Sequence, residues 1–113
     1  MIDGATFFAA ERLRWGEKHF QAQITRVYVG SERKPVPNAW KAYHSYFSDR
    51  SEAGWPDLVM VRERVVYAEL KAMKGVVSAR QQEWYDALIA AGAEAYIWRP
   101  CCWNSGEIER VLT

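Results

Sequence analysis

Cysteine is scarce in this 113-residue chain, which carries only the adjacent pair Cys101 and Cys102. Neighbours in sequence rarely reach disulfide geometry, and no C-x-x-C pair or histidine-rich cluster accompanies them, so neither a disulfide framework nor a zinc site is indicated. They read as ordinary thiols of a cytosolic protein. Excess charge of one sign is lacking too. Fifteen Lys and Arg stand against 14 Asp and Glu, a net charge of +1, which by itself says little about nucleic acid. No apolar run approaches membrane-spanning length, and Met1-Ile2-Asp3-Gly4 lacks the basic and apolar regions of a signal peptide. A soluble, cytoplasmic protein is expected. Internal repeats are absent as well. What is abundant is apolar and aromatic: half of the residues are hydrophobic, with six Trp and six Tyr, which excludes disorder. The length allows one core and no separate recognition domain, so residues 1–113 are read as a single domain.

Thr6 to Tyr28 reads as helical in two pieces broken near Trp15-Gly16. Phe7, Phe8 and Leu13 form the apolar side of the first piece. In the second, Phe20, Ile24, Val27 and Tyr28 recur at helical spacing and define a buried face. Glu17 falls on the packed edge of that face, where an unpaired acid is costly. It is either a favourable charge in a first helical turn or a group that contacts a metal or its water. Gly30 to Asn38, with Pro35 and Pro37, is a loop. Trp40 to Phe47 alternates well enough for a first strand. His44 on it is either an ordinary core or surface histidine or a group that works on substrate near neutral pH. Arg50 and Ser51, in the polar stretch that follows, are candidate phosphate contacts.

Gly54 to Gln81 carries the chemistry. Leu58–Val61 and Val65–Leu70 are short apolar, β-branched runs separated by Arg62-Glu63-Arg64, and they predict a hairpin buried on both faces. Pro56 fits at the mouth of the first strand, because it has no N–H for a ladder. Glu69 and Lys71 are two apart and share a face. A two-residue turn would set Asp57 opposite Leu70 and facing away, whereas a three-residue loop or a bulge sets it opposite Glu69. Asp57 must join the face of Glu69 and Lys71, so the odd loop or a bulge is expected. Two acids and a lysine at one strand end suit a hard divalent cation beside a water activated for attack on phosphate. The plainer alternative is a loop acid and an exposed strand-end pair.

Ser78 and Gln81 form a capping box at the start of the next helix, a complete structural explanation for both. Trp84, Ala87, Leu88 and Ala91 predict its buried stripe, and Gly92 its stop. Ala95–Trp98 reads as a strand returning parallel through a right-handed crossover and broken by Pro100. Arg99 at its end is a further candidate phosphate contact. Ile108, Val111 and Leu112 suggest a short closing helix. The element order predicts an α/β sandwich around a small mixed sheet.

Gly54-Trp55-Pro56-Asp57, then Glu69-Leu70-Lys71, then Gly75, Ser78 and Gln81 resemble the VRR-NUC group of the PD-(D/E)XK nuclease superfamily, over roughly Glu17 to Trp98. The resemblance implies a restriction-endonuclease-like core, a small mixed β-sheet flanked by helices. It puts Asp57 and Glu69 in the role of Mg²⁺ or Mn²⁺ ligands, together with the carbonyl of Leu70. It makes Lys71 the residue that assists the water, places Gln81 at the active site, and matches Glu17 to the acid of the family's first helix. The 30–38 loop is longer than the family's connection and suggests an insertion that touches substrate or a partner. Lys74, Arg80, Arg99, Arg50, His44 and Ser51 become candidate DNA contacts. If Glu17, Asp57 and Glu69 are neutralised by metal, 15 basic residues face 11 acidic ones, which is compatible with a local basic groove.

The implied activity is a Mg²⁺- or Mn²⁺-dependent endonuclease hydrolysing DNA phosphodiester bonds. Small stand-alone members, often phage-borne, are similar to dimeric junction-resolving enzymes, so branched or Holliday-junction DNA and a homodimer are expected, in a bacterial or phage-infected cell. Residues 1–16 are an N-terminal helical extension, with Phe7, Phe8, Leu13 and Trp15 either an interface between subunits or a cover for their own sheet. The alternatives are a catalytically silent nucleic-acid-binding module of the same fold and a sequence-specific restriction-type nuclease.

Overall fold

A computed structural model describes residues 2–45 and 53–113; Arg50, Ser51 and the far end of the first expected strand lie outside them. The helices at the N-terminus are α1 (Gly4–Arg12) and α2 (Glu17–Tyr28), and the strands that follow are β1 (Lys41–His44), β2 (Leu58–Val61) and β3 (Val65–Leu70). The chain continues through α3 (Ala79–Ala90), β4 (Glu94–Trp98), α4 (Pro100–Asn104) and α5 (Glu107–Leu112). The sheet runs β1-β2-β3-β4, antiparallel across its first two pairings and parallel between β3 and β4. The α/β sandwich and the parallel return of β4 agree with the sequence pattern. No helix among the described residues is long and apolar enough to cross a membrane.

The core lies on one face of the sheet. Leu58, Met60, Val66, Ala68, Leu70 and Trp98 meet Phe20 and Ile24 of α2, together with Ile108 and Leu112 of α5. Trp40, just before β1, is buried with its indole N–H donating to the Leu112 carbonyl at 2.8 Å. Arg62 and Arg64 lie over its ring at 4.5 and 5.1 Å from the centroid, which anchors the hairpin loop to the core.

Several expectations need correction. The hairpin is not buried on both faces, because Val61 and Val65, at the loop end of the face that carries Tyr67 and Glu69, are exposed. Helix α3 has no fully buried side chain; Trp84 and Leu88 are half-buried, whereas Ala87 and Ala91 face solvent. Its single-sided seat on the sheet needs only a narrow stripe. Helix α4 was missed, although Pro100 at its first turn is a helix-start signal as much as a strand-stop.

Helix α1 does not cover its own sheet. It has no buried side chain, and it is tied to α4 through Asn104, whose amide donates to the Ala9 carbonyl at 2.9 Å. Phe7 and Phe8 are 52% and 58% exposed. Trp15 differs from them, packing on Phe20 and Trp103 at the rim of the core.

A carboxylate pair at the end of the sheet

The hairpin loop has three residues: Val61 pairs with Val65 and Leu58 with Ala68, so Asp57 comes opposite Glu69, as the odd loop requires. Asp57 is held from both sides. Its Oδ2 accepts from the Leu70 N–H at 2.8 Å, its carbonyl accepts from the Ser45 N–H at 2.9 Å, and the Ser45 hydroxyl donates to the Pro56 carbonyl at 2.6 Å. Glu69 is 5% exposed and Lys71 is 8% exposed. The Lys71 Nζ lies 3.9 Å from Glu69 Oε1 and 3.6 Å from Glu17 Oε1. Glu17 is thus not a buried acid of the packed edge: half of its side chain is exposed, and it meets the lysine from the first turn of α2.

Gln81 resolves the choice between cap and site by doing both. Its Oε1 accepts from the Ser78 N–H at 2.9 Å, closing the capping box, and its Nε2 donates to Glu69 Oε1 at 2.7 Å. A primary amide has an acceptor end and a donor end, so one side chain fixes the helix start and the carboxylate together.

The residues before Asp57 lock it against α3. Gly54 has φ +85°, and a Cβ there would fall 2.4 Å from the Arg80 carbonyl carbon. Only glycine lets the loop lie this close to the first turn of the helix. Trp84 donates from its indole to the Ala53 carbonyl at 3.1 Å and packs edge-on to Trp55, which also packs on Tyr67. Gly54-Trp55-Pro56 is therefore a clamp between β2 and α3. Its role in positioning went unread in the sequence, where a glycine beside a tryptophan gives no sign of what it will touch.

Electrostatically the site is short of positive charge. Burial, a hydrogen bond to Asp57 and the charge on that carboxylate push the Glu69 carboxyl up to about 9, with Lys71 acting in the opposite sense. Glu69 Oε2 is buried with no hydrogen-bond partner. A buried Glu69 carboxyl that keeps its proton near neutral pH and has an unsatisfied oxygen, with the Asp57 carboxyl beside it, fits a hard cation. Mg²⁺ is usually held by one or two carboxylates and completed by water and phosphate oxygens. The described residues contain no cluster of three or more His, Cys, Asp or Glu suited to a metal ion, so the available set is Asp57, Glu69 and backbone oxygen such as that of Leu70.

The remaining candidates divide. Lys74 and Arg80 are exposed on the α3 side of the acids, with no side-chain partner among the described residues. Arg99 is turned inward: its Nη1 donates to the carbonyls of Ala72, Met73 and Gly75 at 2.6, 3.3 and 2.7 Å, bracing the turn that carries Lys74. His44 contacts Gln21 of α2 through its Nδ1, and burial moves its pKa down. It lines a groove of about 860 Å³ that also takes in Glu17 and Asp57, and that runs along α2 to Lys18, Arg26 and Lys34. None of these last three cations stood out in the sequence, because α2 and the 30–38 loop bring them together only in the fold.

Comparison with known proteins agrees with this architecture. The model of the VRR-NUC domain family matches residues 8–99. A solved structure described as a VRR_NUC domain protein superposes with a TM-score of 0.58 at 20% identity, covering 75% of this chain and 78% of that one. Among curated proteins, none matches.

Proposed function

The chain belongs to the VRR-NUC family, a nuclease family, and from that premise we propose that it is a Mg²⁺- or Mn²⁺-dependent endonuclease that hydrolyses phosphodiester bonds of branched DNA as a homodimer. The observation that carries this reading is the buried Glu69 beside Asp57, with an oxygen left unsatisfied and Lys71 at 3.9 Å. A solvated strand-end pair needs no such burial.

In this reading the carboxylates of Asp57 and Glu69 and the carbonyl of Leu70 hold the cation. When bound, it supplies Lewis acidity to the scissile phosphate and makes an attacking water more acidic. Lys71, kept in place by Glu17 and Glu69, orients that water and stabilises charge developing on the phosphate. Gln81 keeps the Glu69 carboxylate in one orientation, so no rearrangement is needed at the moment of reaction. Lys74 and Arg80 hold backbone phosphates, which makes binding salt-sensitive and largely indifferent to base sequence.

Homodimerisation supplies the second cut that a four-way junction needs, since one site makes one nick and a two-fold axis provides its mate. Phe7, Phe8 and Leu13 support it, as exposed apolar side chains on a helix that buries nothing in its own subunit. The test is a panel of four-way, flapped and linear DNAs incubated with Mg²⁺, alongside light scattering. Paired nicks in the junction by a dimer are expected. A monomer that nicks linear duplex as readily as a junction contradicts the proposal.

A further inference from the structure

The groove along α2 is built differently from the rest of the surface. One wall is the helix; the other is the 30–38 loop, which is folded on itself. The Ser31 N–H donates to the Lys34 carbonyl at 3.0 Å, and the Lys34 N–H donates to Ser31 Oγ at 3.1 Å. Gly30, at φ +72°, admits no side chain, because a Cβ there would meet Val36 Cγ2 at 2.7 Å and the Lys34 carbonyl at 2.8 Å. The loop therefore presents Lys34 from a fixed turn. Neither Lys18 nor Lys34 has an ion-pair partner among the described residues, and the Arg26 guanidinium is engaged only by the Gln23 amide, at 3.0 Å. Thr25 in the groove has a buried hydroxyl with no hydrogen-bond partner. Three cations and an unsatisfied hydroxyl thus lead away from the end that holds Asp57 and Glu17.

We propose that this groove binds a single strand of DNA, the one that leaves the duplex at a branch, and holds its phosphates with Lys18, Arg26 and Lys34. This rests on the nuclease reading above and deepens it, since it makes the groove the source of the preference for branched over linear DNA. The dimensions favour one strand. Lys18 and Arg26 are eight residues apart on α2, about 12 Å at 1.5 Å per residue, or roughly three to four stacked nucleotides at about 3.4 Å each. A volume of about 860 Å³ falls in the range that encloses a drug-sized ligand, about 300–1,000 Å³.

The test measures anisotropy of a labelled ten-nucleotide oligothymidylate and of a labelled blunt duplex, binding to the full chain in EDTA over a range of NaCl concentrations. The proteins are wild type, the double variant Lys18→Ala, Lys34→Ala, and Arg33→Ala as the control. Arg33 is exposed, next to Lys34 in the same loop, and outside the groove. For the single strand, each lost phosphate contact makes the slope of log K against log salt shallower by about 0.7, so the double variant shifts by about 1.4. Its slope on duplex, and the slope of Arg33→Ala on either DNA, stay at the wild-type value. An unchanged single-strand slope in the double variant overturns the proposal. So does an equal shift on duplex, or an equal shift in Arg33→Ala. A protein that shows the expected shift but cuts no DNA in Mg²⁺ refutes the nuclease reading and leaves the groove standing; one that cuts junctions without the shift does the reverse.

Discussion

Helices α2 and α3 flank the same two carboxylates and are tied to them in opposite ways. At α3, the polar groups that fix the acids are engaged, and only Lys74 and Arg80, farther out, are left to solvent among the described residues. Gln81 uses both ends of its amide, Ser78 closes the cap, and the Gly54 backbone lies against Arg80 with no room for a methyl group. At α2, a half-exposed Glu17 meets Lys71 at 3.6 Å, and beyond it the cations of the groove are left to solvent. The difference separates two tasks. On the proposed reading, the α3 side fixes the orientation of the buried carboxyls, and the α2 side carries unspent charge for a polyanion.

The largest way to break this contrast is at the acids themselves. Glu69→Gln is expected to cost three or more orders of magnitude in turnover, given that a bound cation contributes several kcal/mol at about 1.36 kcal/mol per tenfold. Its melting temperature without metal should hold or rise. The reason is the direction of proton linkage. The folded state keeps a proton on Glu69 up to about 9, whereas the unfolded carboxyl loses it near 4.5. The folded state therefore binds more protons between those values, and stability of the metal-free protein declines as pH rises through that window. Glu69→Gln lacks that component, so its melting temperature should fall less with pH than that of the wild type. A steeper fall in the variant contradicts the assignment.

Lys71→Ala comes next, with an expected loss of about 10²-fold or more in turnover. DNA affinity should be little changed, since phosphate binding is spread over several cations; wild-type cleavage would reduce Lys71 to a structural charge. Smaller in effect, and sharper for the comparison, is Gln81. Gln81→Ala removes the reciprocal half of the capping box but keeps the backbone N–H bonded to Ser78 Oγ, and should cost less than the about 1 kcal/mol of losing a whole N-cap. Gln81→Glu can restore the capping box but sets a third carboxyl against Glu69, so stability should recover only at acidic pH, where the carboxyls are protonated, and turnover should not recover. Recovery of both together would mean that the capping role alone explains Gln81. Smallest at the chemical centre is Phe7→Glu with Phe8→Glu, which should convert a dimer to a monomer in light scattering and abolish paired junction cuts while single nicks persist.

How much of this was legible in the sequence follows the same divide. The α3 side was readable because its determinants are local: the need for Asp57 to join Glu69 selected an odd loop or a bulge, which the three-residue loop of Arg62, Glu63 and Arg64 supplies, and Ser78 with Gln81 marks a helix start. Even there, the second bond of Gln81 was a matter of distance in space. The groove on the α2 side was not readable. Lys18, Arg26 and Lys34 belong to two segments, and their shared lining depends on Gly30 permitting the loop to fold back onto Val36. Arg99 shows the converse, since a charged residue at a strand end looks available for phosphate until three carbonyls are found around it.

The most direct test of the central claim, that Asp57 and Glu69 hold the cation for phosphodiester hydrolysis, is cleavage of one labelled four-way junction by wild type and Asp57→Asn in Mg²⁺ and in EDTA, with folding of both proteins checked by circular dichroism. Cutting by the wild type in Mg²⁺ alone, and none by a folded Asp57→Asn, is the predicted result. Full cleavage in EDTA, or by Asp57→Asn, contradicts it.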